Sequence, residues 1–168
     1  MKSLLLLILC VGLSFSVKSQ QLKTEFISSS EVPEVVLKAQ EFSFPNMYVE
    51  SWHIPDENIL DTPLFICQYK NRTETGYKAY YAENGFLLFH TKFLTEVELP
   101  ETVLLKITAE FDDSEIQNGY FITISEPRQE LYRVNVRDGF EVRSMYYSIN
   151  GIEIPKNSLP NELLLLDN

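Results

Sequence analysis

The hexapeptide Tyr80-Tyr81-Ala82-Glu83-Asn84-Gly85 has a counterpart 66 positions later, Tyr146-Tyr147-Ser148-Ile149-Asn150-Gly151. In both segments an Asn-Gly pair follows a run of β-prone residues. This predicts a tight hairpin, because Asn and Gly tolerate a positive φ. Further upstream, Val32-Pro33-Glu34 is echoed by Leu99-Pro100-Glu101, 67 positions later. Two separate landmarks at nearly the same offset indicate an internal duplication.

Each half of the chain begins with a helix signal. Pro33 stands near the first turn, where its missing N–H costs nothing, and the negative charge of Glu34 is favourable at a helix N-terminus. Pro45 ends this helix, and a second helix is predicted from about Pro100 to Phe111. Helical spacing places on one face of the first helix the apolar residues Val32, Val35, Val36, Ala39 and Phe42.

Strand-like runs rich in aromatic and β-branched residues follow each helix. In the first half they span residues 47–54, 64–69, 77–82 and 86–94, and in the second half residues 120–125, 131–137, 140–148 and 152–154. The predicted fold class is therefore α+β, with two tandem units that each consist of a helix followed by a four-stranded antiparallel sheet.

The predicted boundaries follow from this division. Residues 20–30 form a flexible lead-in, residues 31–98 the first unit and residues 99–155 the second unit. Residues 156–168 form a C-terminal tail that includes a run of four leucines at positions 163–166. We expect this apolar run to pack on the second unit, because otherwise it forms an exposed apolar patch that a partner would cover.

A secretory signal peptide is predicted at residues 1–19. Its apolar run, residues 4–13, follows a basic start and is too short to span a bilayer. Modest side chains at the −3 and −1 positions place the cleavage after Ser19. The short run disfavours a retained membrane anchor, and the bulky Leu9 disfavours lipidation of Cys10. We therefore expect a periplasmic or secreted protein with no membrane insertion after cleavage.

The composition limits the classes of partner. Residues 1–19 hold two of the 14 basic residues and none of the 24 acidic ones, so the exported part is more acidic than the full chain, whose net charge is −10. Such a chain repels nucleic acid and anionic lipid surfaces, so no nucleic acid partner is expected. Only Cys67 remains after cleavage, which excludes an internal disulfide, and its apolar surroundings predict a buried thiol.

No cofactor or metal site is predicted. His53, His90 and Cys67 do not have the spacing of a zinc site. The acidic clusters at residues 56–61 and 112–115 lack the spacing and central glycine of a calcium loop. The sequence also contains no nucleophile elbow and no phosphate-binding loop.

An enzyme remains one alternative. It would bring His53 or His90 within hydrogen-bond reach of a carboxylate or of Cys67. The alternation of the strand instead predicts that His90 is a surface residue, and it leaves open a pairing of the two histidines across the sheet.

The repeated pattern resembles that of a known family. A short helix begun by Pro-Glu, a set of strands and a Tyr-Tyr-x-x-Asn-Gly hairpin, all present twice over residues 31–154, are similar to the PepSY-like family of beta-lactamase-inhibitor-like proteins. These are small exported proteins of Bacteroidetes-type bacteria. The resemblance implies a tandem α+β fold similar to beta-lactamase inhibitor protein, in which a curved sheet presents a concave face to a partner protein. The acidic insert at residues 55–63 and the absence of a second tryptophan depart from the pattern.

The tyrosine pairs connect this fold to a function. Adjacent strand residues point to opposite faces, so one tyrosine of each pair must leave the helix-covered face. Either that face is a recognition surface, or the other unit or the tail covers it. Exposed tyrosine beside lysine or arginine is typical of recognition surfaces. The residues predicted to bind a partner are Trp52, Lys78, Tyr80, His90, Arg143, Tyr146 and Tyr147.

The sequence thus favours a non-catalytic binding or inhibitor-like module that recognises a protein or peptide on its open sheet face. One alternative is a carrier of a small ligand or peptide, which would have a pocket between sheet and helices. The sequence names neither the partner nor the oligomeric state.

Overall fold

The computed structural model describes residues 23–56, 63–111, 115–164 and 166 of the 168-residue chain. The predicted signal peptide, the middle of the acidic insert at residues 55–63 and most of the acidic cluster at residues 112–115 lie outside these residues. The described strands form one eight-stranded sheet in sequence order, in which every neighbouring pair is antiparallel. They are β1 (Thr24–Ile27), β2 (Tyr48–Pro55), β3 (Leu64–Lys70), β4 (Tyr77–Ala82), β5 (Leu87–Leu94), β6 (Glu115–Ile124), β7 (Gln129–Asp138) and β8 (Glu141–Ser148).

The three described α-helices are short. They are α1 (Glu34–Ser43), α2 (Glu101–Glu110) and α3 (Asn161–Leu164), and a short 3₁₀ turn precedes each of them, at Ser29–Glu31, Glu96–Glu98 and Lys156–Ser158. The predicted α+β class is confirmed, and so are the antiparallel strands and the two longer helices near the expected positions.

The sheet is continuous across the predicted boundary between the two units. β5 of the first half pairs with β6 of the second half, from Phe89 opposite Ile124 to Leu94 opposite Gly119. The second half contributes three strands and one further bridge, between Tyr147 and Glu153, instead of a fourth strand. These pairings are tertiary contacts, which local sequence patterns do not specify.

The predicted flexible lead-in is also corrected by the structure. Phe26 and Ile27 of β1 pair with His53 and Trp52 of β2 and form the edge of the sheet. Ile27 is buried in the core beneath α1, and this burial explains why the segment is ordered as a strand.

Both α1 and α2 lie on one side of the sheet, which we call the helix face. Val32 and Val36 pack there against β2, β3 and β4, and their counterparts Leu99 and Val103 pack against β7 and β8. Each pair is spaced four residues apart, so the two side chains lie one above the other on the same side of the helix. The helices thus cover the two halves of this face in the same manner.

The buried side of α1 differs from the predicted one. Val36 and Gln40 are buried, whereas Val35 and Phe42 are 48% and 89% exposed. Gln40 can be buried because its side-chain oxygen Oε1 accepts a hydrogen bond of 2.8 Å from the hydroxyl of Tyr81. A polar residue satisfied in this way does not show in an apolar helical pattern.

The tail packs on the opposite side of the sheet, the tail face. Leu159 and Leu163 are buried there among Leu64, Ile66, Tyr80, Phe89, Ile122, Ile124, Leu131 and Tyr146, and Leu166 packs against this cluster. The expected packing of the tail on the second half is therefore observed, and it extends to β3, β4 and β5 of the first half.

The tail repeats the local structure at the start of α1 and α2. In each case a proline carbonyl oxygen accepts a hydrogen bond from the N–H three residues later: Val36 to Pro33 at 2.9 Å, Val103 to Pro100 at 2.9 Å and Leu163 to Pro160 at 3.0 Å. Each time, the residue before the proline and the residue three positions after it are buried. The described parts of the chain thus contain three similar helix starts, two on the helix face and one on the tail face.

Candidate functional site

Four of the seven predicted partner-binding residues are part of the core. Trp52, Tyr80, Tyr146 and Tyr147 are only 4%, 4%, 1% and 1% exposed. Tyr80 and Tyr146 do leave the helix face, as alternation requires, but the tail covers them. The prediction of an exposed aromatic face at these positions is therefore wrong. Of the two interpretations of the tyrosine pairs, coverage by the tail is correct.

His90 lies on the helix face, opposite Ala79 of β4 and Thr123 of β6. It is half-buried, with its ring edge-to-face against Phe44 at 5.3 Å, and its Nδ1 has no hydrogen-bond partner among the described residues. Burial lowers the pKa of this imidazole, and the charge of Arg128 adds to the effect. The prediction of a surface histidine is wrong, because Phe44 at the end of α1 folds over the ring.

The two histidines do not meet. His53 is opposite Ile66 of β3, which belongs to the tail face, whereas His90 belongs to the helix face. The pairing across the sheet that alternation left open is thus absent. His53 Nε2 instead lies 2.8 Å from the hydroxyl of Ser51, two residues earlier on the same strand. The described residues place no carboxylate in a hydrogen bond with either ring.

Arg143 lies near the exposed end of β8. It forms ion pairs with Glu141 at 3.1 Å and with Asp138 at 3.9 Å. It shares the helix face with Tyr147, as predicted, but Tyr147 is buried beneath α2. Of the seven predicted residues, Lys78 is the one that is exposed on the tail face.

Lys78 belongs to a part of the tail face that the tail leaves uncovered, which we call the open strip. At its first end lie Ser51, His53, Gln68 and Lys78 of β2 to β4. Its middle is formed by Phe93 and Tyr120 of β5 and β6. Its far end holds Asn118, Asn135 and Ser144 of β6 to β8. These nine side chains are exposed or half-buried, and strand register places them on one side of the sheet.

The first end of the open strip is polar and cationic. Lys78 lies opposite Gln68 and Thr91 of the neighbouring strands. Partial burial lowers the pKa of the Lys78 ammonium group. Burial also lowers the pKa of His53, and the charge of Lys78 lowers it further. His53 is therefore neutral at neutral pH, and Lys78 carries the charge of this end.

The middle of the open strip is aromatic. The rings of Phe93 and Tyr120 meet edge-to-face at 5.7 Å, and Phe93 is 41% exposed. The guanidinium of the buried Arg133 lies over the Tyr120 ring at 5.6 Å. Arg133 also donates a 3.0 Å hydrogen bond to the hydroxyl of Ser144. These contacts hold the two rings in fixed positions at the border of the tail.

The far end of the open strip is a chain of hydrogen bonds between side chains. Ser144 Oγ donates to Asn135 Oδ1 at 2.9 Å, and Asn135 Nδ2 donates to Asn118 Oδ1 at 2.8 Å. Each amide keeps donor or acceptor capacity beyond this chain. The strip as a whole can thus offer a cation, two aromatic edges and neutral hydrogen-bonding groups to a bound molecule.

Of the nine residues of the open strip, Lys78 is the one that was predicted from the sequence to bind a partner. Alternation relates residues within a strand, but β-bulges shift the register between Val49 and Ser51, between Tyr80 and Tyr81, and between Ile116 and Asn118. Each bulge changes which residues share a face. The polar residues of β6, β7 and β8 in otherwise apolar strands are the signal that could have drawn attention to the far end.

Two further features of the described residues bear on the alternatives of an enzyme and of a carrier. Cys67 is fully buried, and burial raises the pKa of its thiol to about 12, so it stays protonated at neutral pH. An open depression lies between residues 45–48 and residues 71–73, at the loop edge of the sheet and not between sheet and helices.

Neither a metal centre nor a membrane span is found in the described ranges. No group of three or more His, Cys, Asp or Glu side chains there could hold a metal ion. None of the helices in those ranges has both the length and the apolar character needed to cross a membrane.

Comparisons with known proteins found distant structural similarity to Bacteroides proteins that are provisionally described as periplasmic. No protein-family model and no curated protein sequence matches it. A Bacteroides thetaiotaomicron structure, provisionally described as a calcium-regulated periplasmic protein, shares 10% identity at a TM-score of 0.34 and covers 79% of this chain and 94% of its own. A Bacteroides vulgatus structure, provisionally described as periplasmic and from the DUF2874 family, shares 11% identity at a TM-score of 0.35 and covers 79% of this chain and 95% of its own. Likeness at this level carries no inference about function.

Proposed function

We propose that the protein is an exported, non-catalytic binding module that recognises a protein or peptide on the open strip of its tail face. The observation that carries the proposal is the exposed surface made by Lys78, Phe93 and Tyr120. Aromatic residues are enriched at protein interfaces, and here two of them lie near an exposed cation that can add charge complementarity. α1 and α2 pack on the helix face and the tail packs on part of the tail face, so this strip is a part of the sheet that a partner can reach.

The open strip has the chemistry of an interface that needs no large rearrangement. Phe93 and Tyr120 are held by each other and by Arg133, and immobilised rings lose little conformational entropy on binding. The neutral donors and acceptors at the far end provide hydrogen bonds that fix the orientation of a partner. A surface prepared in this way suits recognition better than catalysis, which needs a proton-transfer group aimed at a substrate.

The proposal includes a relationship to the PepSY-like, beta-lactamase-inhibitor-like family and an origin by duplication of a helix-and-sheet unit. Equivalent packing in the two halves supports it. A Cβ on Gly85 would lie 2.9 Å from the carbonyl oxygen of Val35, and one on Gly151 would lie 3.1 Å from that of Thr102. In both halves, then, the hairpin glycine packs on the first turn of the helix. Partner binding through a sheet face is what this family relationship implies.

Affinity capture from the exported fractions of the native cells tests the proposal. Three baits are compared: the wild-type protein, Phe93→Ala on the open strip, and Phe42→Ala, which removes an exposed ring from α1 on the other side of the molecule. We expect a protein that the wild type and Phe42→Ala retain and that Phe93→Ala loses. Equal retention by all three baits, or no retained protein, would remove the basis for choosing this face. Thermal unfolding of each bait verifies that it is folded.

A further inference from the structure

Lys78 differs from the other lysines that lie on strands. Lys70 pairs with Glu50 at 2.8 Å, and Lys92 pairs with Glu74 at 2.8 Å. Among the described residues, Lys78 has no carboxylate within ion-pair distance. The chain has 24 acidic residues for 14 basic ones, yet Lys78 is not paired with any of the acidic residues that the structure describes.

The surroundings of Lys78 favour an incoming anion. Partial burial of its ammonium group lowers the pKa, although the side chain as a whole is exposed, and a partly desolvated charge gains from a nearby counter-charge. Its neighbours in register are the neutral Gln68 and Thr91. Of the acidic residues on the described strands, Glu50 is paired with Lys70 at 2.8 Å, and Glu115 lies opposite Arg137 at the far end of the sheet.

The aromatic middle of the open strip lies at a defined distance from this cation. Lys78 is opposite Thr91, and Phe93 is two residues further along β5 on the same face. Diagonal neighbours of this kind in an antiparallel pair are separated by about 7–8 Å. In an extended peptide, residues two positions apart point the same way and are separated by about 7 Å. An extended segment can therefore place one side chain on Lys78 and the side chain two residues further along on Phe93.

From these relationships we infer that the open strip recognises an extended protein segment of the form acidic-x-apolar, in which a Glu or Asp carboxylate binds Lys78 and the apolar side chain packs on Phe93 and Tyr120. The inference rests on the proposed function and states the chemistry of its partner. The local charge of the strip supports it despite the negative net charge of the chain, because a partner segment with a single carboxylate meets the strip at Lys78 and places little further negative charge against the acidic remainder of the surface.

Titration with blocked peptides, followed by two-dimensional NMR of the exported protein, tests the inference. The probe is Ser-Thr-Glu-Thr-Leu-Thr-Ser with an acetylated N-terminus and an amidated C-terminus, and its matched control has Gln in place of Glu. We expect shifts of the Gln68, Lys78 and Phe93 amides and a dissociation constant about fivefold lower for the Glu peptide, since a partly sheltered ion pair contributes modestly. The preference should disappear in Lys78→Gln and persist in Lys78→Arg.

Lys106→Gln, on the exposed side of α2, makes the same change in net charge away from the strip and should leave the preference intact. Equal affinity of the Glu and Gln peptides at the strip would overturn the inference while leaving the binding surface in place. Glu-peptide shifts that avoid the strip, or no binding of the Glu peptide, would also overturn it, and the capture experiment with Phe93→Ala would then decide the proposed function on its own.

Discussion

Arg133 on β7 donates a hydrogen bond to the backbone carbonyl oxygen of Leu166 in the tail. The same guanidinium lies over the ring of Tyr120 in the open strip. One side chain therefore fixes the end of the tail and supports the aromatic part of the proposed binding surface. A charge-assisted hydrogen bond to a carbonyl is stronger than a neutral one, which is consistent with the tail being an integral part of the tail-face core.

If the tail is part of this core, Leu163→Ala should be strongly destabilising. The Leu163 side chain is fully buried among residues of β3 to β8, and removing such a side chain typically lowers the free energy of unfolding by about 2–5 kcal/mol. Urea denaturation measures the change. Leu105→Ala, at a position that is 61% exposed on α2, is the matched control and should cost less than about 1 kcal/mol. Similar losses in the two variants would mean that the tail is not docked in solution.

The buried contact between Tyr81 and Gln40 leads to a second prediction. Tyr81→Phe leaves the side-chain oxygen of Gln40 without its donor in a buried position, and the free energy of unfolding should fall by about 1–3 kcal/mol. Adding Gln40→Leu removes the polar group that Tyr81→Phe leaves without its hydrogen bond, so the double variant should be more stable than Tyr81→Phe alone. Chemical denaturation of the three proteins tests this order, and a double variant less stable than the single one would contradict it.

Tyr147 occupies the corresponding position in the second half, and the opposite result is expected there. Its hydroxyl is buried without a hydrogen-bond partner among the described residues, and burial raises its pKa to about 12. Tyr147→Phe removes an unsatisfied polar group and should raise the free energy of unfolding by about 1 kcal/mol. A clear loss of stability in the same denaturation assay would show that this hydroxyl has a partner in solution.

Glu74 should make stability depend on acid pH. A hydrogen bond from Lys92, with further ones from Tyr77 and Asn71, lowers its pKa from 4.5 to about 2. A lowered folded-state pKa means that the contribution is fully present above pH 4.5 and is lost as the pH falls towards 2. The stability difference between wild type and Glu74→Gln should therefore be constant near neutral pH, shrink between pH 4.5 and 2, and vanish below. Denaturation at a series of pH values checks this window.

Lys92→Gln is the control for that prediction. It removes the largest cause of the lowered Glu74 pKa, so the folded-state pKa of Glu74 should lie closer to 4.5. In the Lys92→Gln background, the pH range over which the stability difference between Glu74 and Glu74→Gln shrinks should therefore be narrower. An unchanged window in this background would mean that Lys92 does not hold the carboxylate.

The local elements of the fold could be predicted from the sequence because they depend on neighbouring residues. The Asn-Gly hairpins, the proline-started helices and the alternating strands are short-range patterns, and Tyr77–Ala82 is a strand with the predicted bounds. The joining of β5 to β6 and the addition of β1 depend on pairing between distant segments. No periodicity within either segment encodes that choice.

The candidate site was less predictable for the same reason. Alternation correctly placed Tyr80 and Tyr81 on opposite faces, but it does not specify what covers each face. The docking of Leu159 and Leu163 decides that Tyr80 is buried and that Lys78, two residues earlier, is exposed. The three register shifts then determine which distant residues join Lys78, and bulges of this kind are not visible in strand-like sequence runs.

The most direct test of the central claim is photo-cross-linking from the open strip. A benzoyl-phenylalanine replaces Phe93 in one protein and the exposed Phe42 of α1 in a control, and each is irradiated in the native exported fraction. We predict a discrete protein cross-linked from position 93 and not from position 42. The same adducts from both positions, or none from position 93, would contradict the assignment of the open strip as the binding surface.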